Sequence, residues 1–207
     1  MKLVIATHNR SKASEMQVIL DSLLRQGGLD VQFLTLADFP GAQEPEEVGT
    51  TYAENAVIKS EAAAAATGLV CIADDAGLEI AALDGAPGLH SKRFGGVDMP
   101  FSDKIRRVLH LLRDVPDEAR SARFRCAVAM AGPHMPTEVF EATCEGRIAP
   151  EPRGTGGFGY DPIFLYPPLG RTFAELAPDE KNSVSHRGKV LQLVARHLLH
   201  CQMSETK

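Results

Sequence analysis

Apolar and polar positions follow two rhythms along this chain. Leu3 to Ala6 is a short unbroken apolar run and predicts a buried strand. Met16, Ile19, Leu20, Leu23 and Leu24 recur at helical spacing, and Gly27-Gly28 closes that helix. Val31 to Thr35 predicts a second short strand. Thr51-Tyr-Ala-Glu54 is a capping box, so a helix is expected from there to Ala66, with Gly68 as its C-cap. Leu69 to Ala73 predicts another buried strand, which Asp74 and Asp75 close. Leu78 to Ala82 extends the sheet after a turn, and Asp84 to Gly96 is loop-like. Ser102 is expected to cap a helix that buries Ile105, Val108, Leu109 and Leu112. Phe124, Cys126, Val128 and Met130 alternate as a strand, with Thr137 to Ile148 as its antiparallel partner through Gly132–Pro136. The last helix is placed from Ser185 to His200, with Val190, Leu191, Val194 and Leu198 inward. Early alternation of strands and helices, then a hairpin, predicts an α/β fold with a mixed sheet. No repeat, low-complexity tract or linker divides residues 1–207, which are read as a single domain.

Composition narrows the partners. With 44% apolar and 24% charged residues the chain reads as a soluble globular protein. A net charge of -5 offers no excess of cations for nucleic acid or a membrane surface. The opening apolar run is too short for a signal peptide and is interrupted by Asn9 and Arg10. No segment is long enough to cross a bilayer. Cys71, Cys126, Cys144 and Cys201 form no Cys-x-x-Cys pair, which favours reduced thiols and a cytoplasmic setting.

Four segments carry candidate chemistry. Thr7-His-Asn-Arg-Ser-Lys12 joins a strand to a helix start, where backbone N–H groups and the dipole favour a phosphate; Asn9 is the candidate cap. A capped surface helix is the plain alternative. Asp74-Asp75 places two carboxylates beside an apolar strand. Such groups ligate Mg²⁺, and adjacent strand residues face opposite ways, so one Asp is expected to face the site and the other to support it. Glu46 and Glu47 are candidates to complete a metal site, whereas Glu44 is assigned to a solvated loop. Asn55 and Lys59 form a polar stripe one helical turn apart.

Gly154, Gly156 and Gly159 spell G-x-G-x-x-G, but Pro150 and Pro152 before it and Tyr160-Asp-Pro162 after it argue against a dinucleotide fingerprint. A glycine-flanked Phe158 suits a mobile loop that lays its ring on a planar base. His186 and Arg187 open the last helix, where positive charge opposes the dipole, and this hints at a nearby anion or polar ligand.

Together these residues resemble the inosine triphosphate pyrophosphatase family over nearly the whole chain. The motifs are Thr7, Asn9 and Lys12; Glu54, Asn55, Ala56 and Lys59; Asp74-Asp75-Ala76-Gly77-Leu78; Ala86-Pro87-Gly88 with Ser91 and Arg93; Gly156 to Pro162; and Ser185-His186-Arg187-Gly188. Ala76 stands where many relatives have Ser, and His8 where Gly is common. The resemblance implies an elongated mixed sheet flanked by helices, two lobes with a central substrate cleft, and a homodimer. It implies hydrolysis of ITP, dITP or XTP to the monophosphate and pyrophosphate with Mg²⁺, Mn²⁺ being the alternative.

By the same resemblance Thr7, His8, Asn9, Arg10, Ser11 and Ala76 would line the substrate. Lys12 and Lys59 would neutralise phosphate charge. Asp75 would act as base or bind the metal with Glu46 or Glu47, and Asp74 would orient it. Phe158, Gly159 and Tyr160 would form the base-stacking loop, and Asp161, Lys181, His186 and Arg187 would address base and ribose. A 6-oxo purine accepts hydrogen bonds where adenine donates, so adenine is disfavoured. The rival readings are a pyrophosphatase for modified pyrimidine nucleotides, a silent nucleotide sensor and an NAD-dependent oxidoreductase.

Overall fold

The computed structural model describes residues 1–43 and 45–205, with side chains to Gln202; Glu44 lies outside the described residues. The strands are β1 (Lys2–Ile5), β2 (Gln32–Thr35), β3 (Cys71–Ile80), β4 (Ser121–Gly132), β5 (Met135–Ile148), β6 (Phe164–Tyr166) and β7 (Arg171–Thr172). They form a seven-stranded sheet in the order β2-β1-β3-β4-β5-β6-β7. β1 runs parallel to β2 and β3, with Lys2 opposite Gln32 and Val4 opposite Cys71, whereas β6 is antiparallel to β5 and β7. The helices are α1 (Arg10–Gln26), α2 (Tyr52–Thr67), α3 (Phe101–Leu111), α4 (Pro178–Val184) and α5 (His186–Glu205). The expected α/β class with a mixed sheet is what the chain adopts.

The chain divides into two compact units. One holds residues 1–75, 126–142 and 187–207, the other 76–125 and 143–186, so β3, β4 and β5 contribute residues to both. In the first unit Val4, Ala6, Leu36, Ala63, Cys71 and Ala73 form a buried cluster. Asn9 has extended backbone and its side chain accepts from Lys12 N, which starts α1; Ala13, Met16, Ile19, Leu20 and Leu24 are its buried face. Gly27 ends the helix as expected. Its missing Cβ also leaves room for Leu199 of α5, since a Cβ there would lie 2.4 Å from Leu199 Cδ1. The capping box of Thr51 and Glu54 starts α2, and Gly68 ends it at φ 68°.

The second unit is built on rings. Phe124, Phe164 and Phe173 pack within 4.5–5.9 Å of one another. They belong to a buried cluster with Leu78, Ile80, Val108, Leu112 and Ile163, in which each large apolar side chain contributes about 1.5–3 kcal/mol.

Two sequence expectations change. No turn separates Ala73 from Leu78: β3 runs unbroken through both aspartates, because cations described below satisfy their charge. Ser102 does not cap α3, whose N-cap is Pro100; the Ser102 hydroxyl turns to Asp103. Ser185 ends α4, a short helix that the sequence reading passed over, and directly precedes α5, which starts at His186 as expected. The β4–β5 link is also tighter than expected. Only Pro133 and His134 separate these neighbouring strands, with His134 at φ 64°, and so short a link permits only an antiparallel return.

Candidate active site

Charged side chains converge in the first unit on the two aspartates of β3. Asp74 is 3% exposed. Its Oδ1 accepts from Lys12 Nζ at 3.2 Å, and its Oδ2 from Arg187 Nη2 at 2.9 Å and Nε at 3.3 Å. The other end of the Arg187 guanidinium donates to Glu15 Oε2 at 2.6 Å. Lys12 reaches Asp74 because the Asn9 cap places it in the first turn of α1; Glu15 stands one turn further along.

Asp75 has other partners. Its Oδ2 accepts from Asn55 Nδ2 at 3.1 Å and its Oδ1 from Lys59 Nζ at 3.3 Å. Lys59 also donates to Glu47 Oε1 at 3.0 Å. The side-chain oxygen of Asn55 accepts from Gly49 N at 2.8 Å, so α2 pins the loop that carries Glu47. Asn55 and Lys59, one helical turn apart on α2, are both buried: the polar stripe faces inward, toward the carboxylates.

The environment drives these adjacent carboxyls in opposite directions. Burial pushes the Asp74 carboxyl up, but Lys12, Arg187 and Lys59 outweigh it and hold Asp74 far below the usual carboxylate range. Burial pushes Asp75 up as well; Lys59 opposes it, Glu47 adds like-charge repulsion, and the net result is a raised value. Burial disfavours the Lys59 ammonium, yet Asp75, Asp74 and Glu47 together raise its pKa. Arg187 is likewise a fixed cation, with the attraction of Asp74 and Glu15 overcoming burial.

A different constellation occupies the second unit. Asp161 Oδ2 accepts from Lys181 Nζ at 2.7 Å and from the Phe158 backbone N at 2.9 Å; both charged side chains are almost wholly buried. Lys181 Nζ also lies 4.8 Å from the Phe158 ring centroid, so one ammonium holds the loop through its anion and its ring. Gly157 has φ 67°, and a Cβ there would lie 2.1 Å from Asp161 Oδ2, so the turn admits only glycine. Gly156 N donates to the Ala174 carbonyl at 2.9 Å. Gly154–Tyr160 lies outside strand and helix and leads into a single 3₁₀ turn, Asp161–Ile163, as the argument against a dinucleotide fingerprint requires. His186 is buried and stacks on Phe124 at 4.5 Å.

Among the expected site residues, His8, Asn9, Arg10 and Ser11 are exposed around the start of α1; Thr7, whose Oγ1 accepts from Asn9 N, and Ala76 are half-buried. Glu46 is exposed, and it is Glu47 that meets Lys59 beside Asp75. The Arg187 guanidinium is buried between Asp74 and Glu15, and these carboxylates account for its position against the helix dipole. Tyr160 is 3% exposed, and its hydroxyl donates to the Ser91 carbonyl at 3.0 Å, which ties down the loop. Sequence reading missed Glu15 and the buried Lys104. Glu15 carried one signal, its helical spacing from Lys12.

The Ham1 family pattern matches residues 3–197. A protein of Geobacillus kaustophilus named dITP/XTP pyrophosphatase is 50% identical over 190 residues, which is 92% of this chain and 90% of that protein. A Desulforamulus reducens protein of the same name is 47% identical, covering 93% of this chain and 92% of its own. The solved HAM1 protein of Coxiella burnetii superposes with TM-score 0.85 at 42% identity, covering 97% of this chain and 99% of that one. The Staphylococcus aureus Ham1 protein gives 0.83 at 37% identity, covering 96% and 98%. A match over nearly the whole chain, in pattern, identity and fold together, means that this chain belongs to the Ham1 family, as its sequence motifs led one to expect.

Proposed function

We propose that this chain hydrolyses the non-standard purine nucleoside triphosphates dITP, XTP and ITP at the α–β phosphoanhydride bond, giving the nucleoside monophosphate and pyrophosphate. The observation that carries this reading is the pair of adjacent carboxylates on β3 with separate partners, Asp74 between Lys12 and Arg187 and Asp75 between Asn55 and Lys59. Asp74 is a permanent anion that fixes Lys12 and Arg187. Asp75, whose pKa burial and Glu47 raise, is the more basic of the two. Asp75 takes a proton from the attacking water, and the electrons of the broken P–O bond leave with pyrophosphate. Lys12 and Lys59 neutralise the phosphate charge that grows as this bond breaks. The reading is supported by the names that the relatives of Geobacillus and Desulforamulus carry.

The donor set fits a hard divalent cation. Asp75 and Glu47 bring carboxylate oxygens to the same Lys59 ammonium, and each repels the other's negative charge. These two residues would hold Mg²⁺, with Mn²⁺ as the alternative. Among the described residues no three His, Cys, Asp or Glu side chains form a metal group, so water and substrate phosphate would supply the other ligands. When bound, the ion screens triphosphate charge and makes water more acidic.

Phe158 stacks on the purine, braced by Asp161 and Lys181. His186 supplies a donor to the 6-oxo group, which adenine cannot accept. The homodimer and the cytoplasmic setting implied by the motifs belong to the same proposal; no helix among the described residues is long and apolar enough to cross a membrane. Phosphorus NMR of dITP turnover with Mg²⁺ tests the chemistry. Pyrophosphate and dIMP are expected, and orthophosphate with dIDP would overturn it.

A further inference from the structure

Lys104 of α3 is a lysine where packing alone calls for an apolar side chain. It is 2% exposed and sits beside Ile105 and Val108 on the buried face of the helix. A buried ammonium is costly unless it is well paired. The partners shown for Lys104 are modest: its Nζ donates to the Lys92 carbonyl and lies 5.0 Å from the centroid of the Phe101 ring.

What those partners touch gives the residue a use. The preceding carbonyl, that of Ser91, receives the buried Tyr160 hydroxyl, so two successive carbonyls are clamped by donors from two different elements. The Ser91 hydroxyl in turn accepts from Leu78 N at 2.9 Å and donates to the Gly88 carbonyl at 2.6 Å, which ties this loop to β3. Phe101, under the ammonium, meets the Tyr160 ring edge-on at 5.4 Å. A Cβ on Gly159 would lie 3.6 Å from the Phe101 ring, so the glycine loop runs directly over it. Lys104, Phe101 and Tyr160 form a continuous packed path that ends two residues from Phe158.

We propose that Lys104 is a positioning residue: through the Lys92 carbonyl and Phe101 it fixes Tyr160, and so sets where Phe158 stands for the base. The proposal rests on the reading of Phe158 as the ring that stacks on the purine. Its charge does not touch the phosphates or the water, so its loss should weaken binding and spare the chemical step.

Lys104→Met removes the charge and keeps the volume. The expected result is a KM for dITP raised roughly three- to tenfold, part of the value of one base–ring stack, with kcat within about twofold of wild type. Lys104→Gln keeps an N–H donor for the Lys92 carbonyl and should recover most of the wild-type KM, which also covers the case in which the Met variant fails to fold. Phe158→Ala should raise KM roughly tenfold or more, and adding Lys104→Met to it should raise KM no further, because the second residue acts through the first.

A second readout separates loop position from base stacking. The chain has no tryptophan, so Phe158→Trp places a lone indole on the loop. Lys104→Met in that background should shift its emission and open it to a soluble quencher without dITP present. An unchanged spectrum with an unchanged KM, or additive KM effects in the double variant, overturns the role of Lys104. A shifted spectrum with no KM effect from Phe158→Ala keeps Lys104 as the positioner of the loop and removes the stacking role of Phe158.

Discussion

Around Asp74 and Asp75 in the first unit, the cations Lys12, Lys59 and Arg187 alternate with four carboxylates, those two and Glu15 and Glu47. Around Phe158 in the second unit, one buried ion pair, Lys181–Asp161, works among aromatic rings and backbone carbonyls. Under the proposed function the contrast matches two kinds of task. Phosphoryl chemistry needs fixed charges of both signs where charge will develop, and an alternating network keeps them in place before substrate arrives. Recognition of a flat base needs a ring held at one height and angle, which packing supplies and charge alone does not. The Lys181–Asp161 pair there holds a backbone N–H and lies against the Phe158 ring.

Replacing Asp75 cuts deepest into the first cluster. Asp75→Asn keeps the shape and the Asn55 contact but removes the basic oxygen. The expected outcome is a fall in kcat of roughly 10²–10⁴-fold at saturating dITP and Mg²⁺, with the circular dichroism spectrum unchanged. A loss smaller than about tenfold would move the chemistry away from Asp75 and leave the cluster a structural network.

Arg187 tests what holds the first cluster together. Arg187→Ala leaves Asp74 and Glu15 buried without their shared cation, and a loss of about 3–5 kcal/mol in urea unfolding is expected. Activity on dITP and dATP should fall together, leaving their kcat/KM ratio unchanged. A narrowed ratio with near-normal stability would assign Arg187 to the base and sink its placement as the anchor of Asp74.

The smallest effect is one of pH. The folded pKa of Asp74 lies below the unfolded carboxylate value of about 3.9. Its stabilising contribution is therefore complete above that value and is lost as pH falls toward the folded pKa. Wild type should lose stability relative to Asp74→Asn below about pH 4, by up to about 1.4 kcal/mol per pH unit, with a constant difference from about pH 5 to 8. Urea midpoints for the two proteins across that range check the sign; parallel curves below pH 4 would mean that Asp74 is not held ionised.

Much of this arrangement was legible in sequence where the signal is local. Asn9 and the Thr51–Glu54 box act within one turn, so both helix starts read correctly and brought Lys12, Asn55 and Lys59 into view. Asp74-Asp75-Ala76-Gly77 misled because its composition is that of a turn. The cations that let β3 continue through it stand far off in the chain: Lys12 is 62 residues from Asp74, Arg187 is 113 away, and Lys59 is 16 from Asp75. The same distance hid the two carboxylates that Arg187 meets, Asp74 and Glu15. The bond from the Tyr160 hydroxyl to the Ser91 carbonyl spans 69 residues and lay outside the reach of a local motif.

The two aspartates also bear on which inherited changes this protein can survive. Their distinct roles rest on successive positions in one strand, where a shift of one residue exchanges the two faces. A substitution elsewhere in β3 leaves each carboxyl beside its own lysine. A one-residue deletion between Cys71 and Ala73 would leave nearly the same composition, yet carry Asp75 into the seat beside Lys12 and Arg187 and leave the seat beside Lys59 to Ala76. Such a chain would keep both carboxylates but lose the one that meets Lys59, so in this stretch natural variation should tolerate changes of side chain better than changes of length.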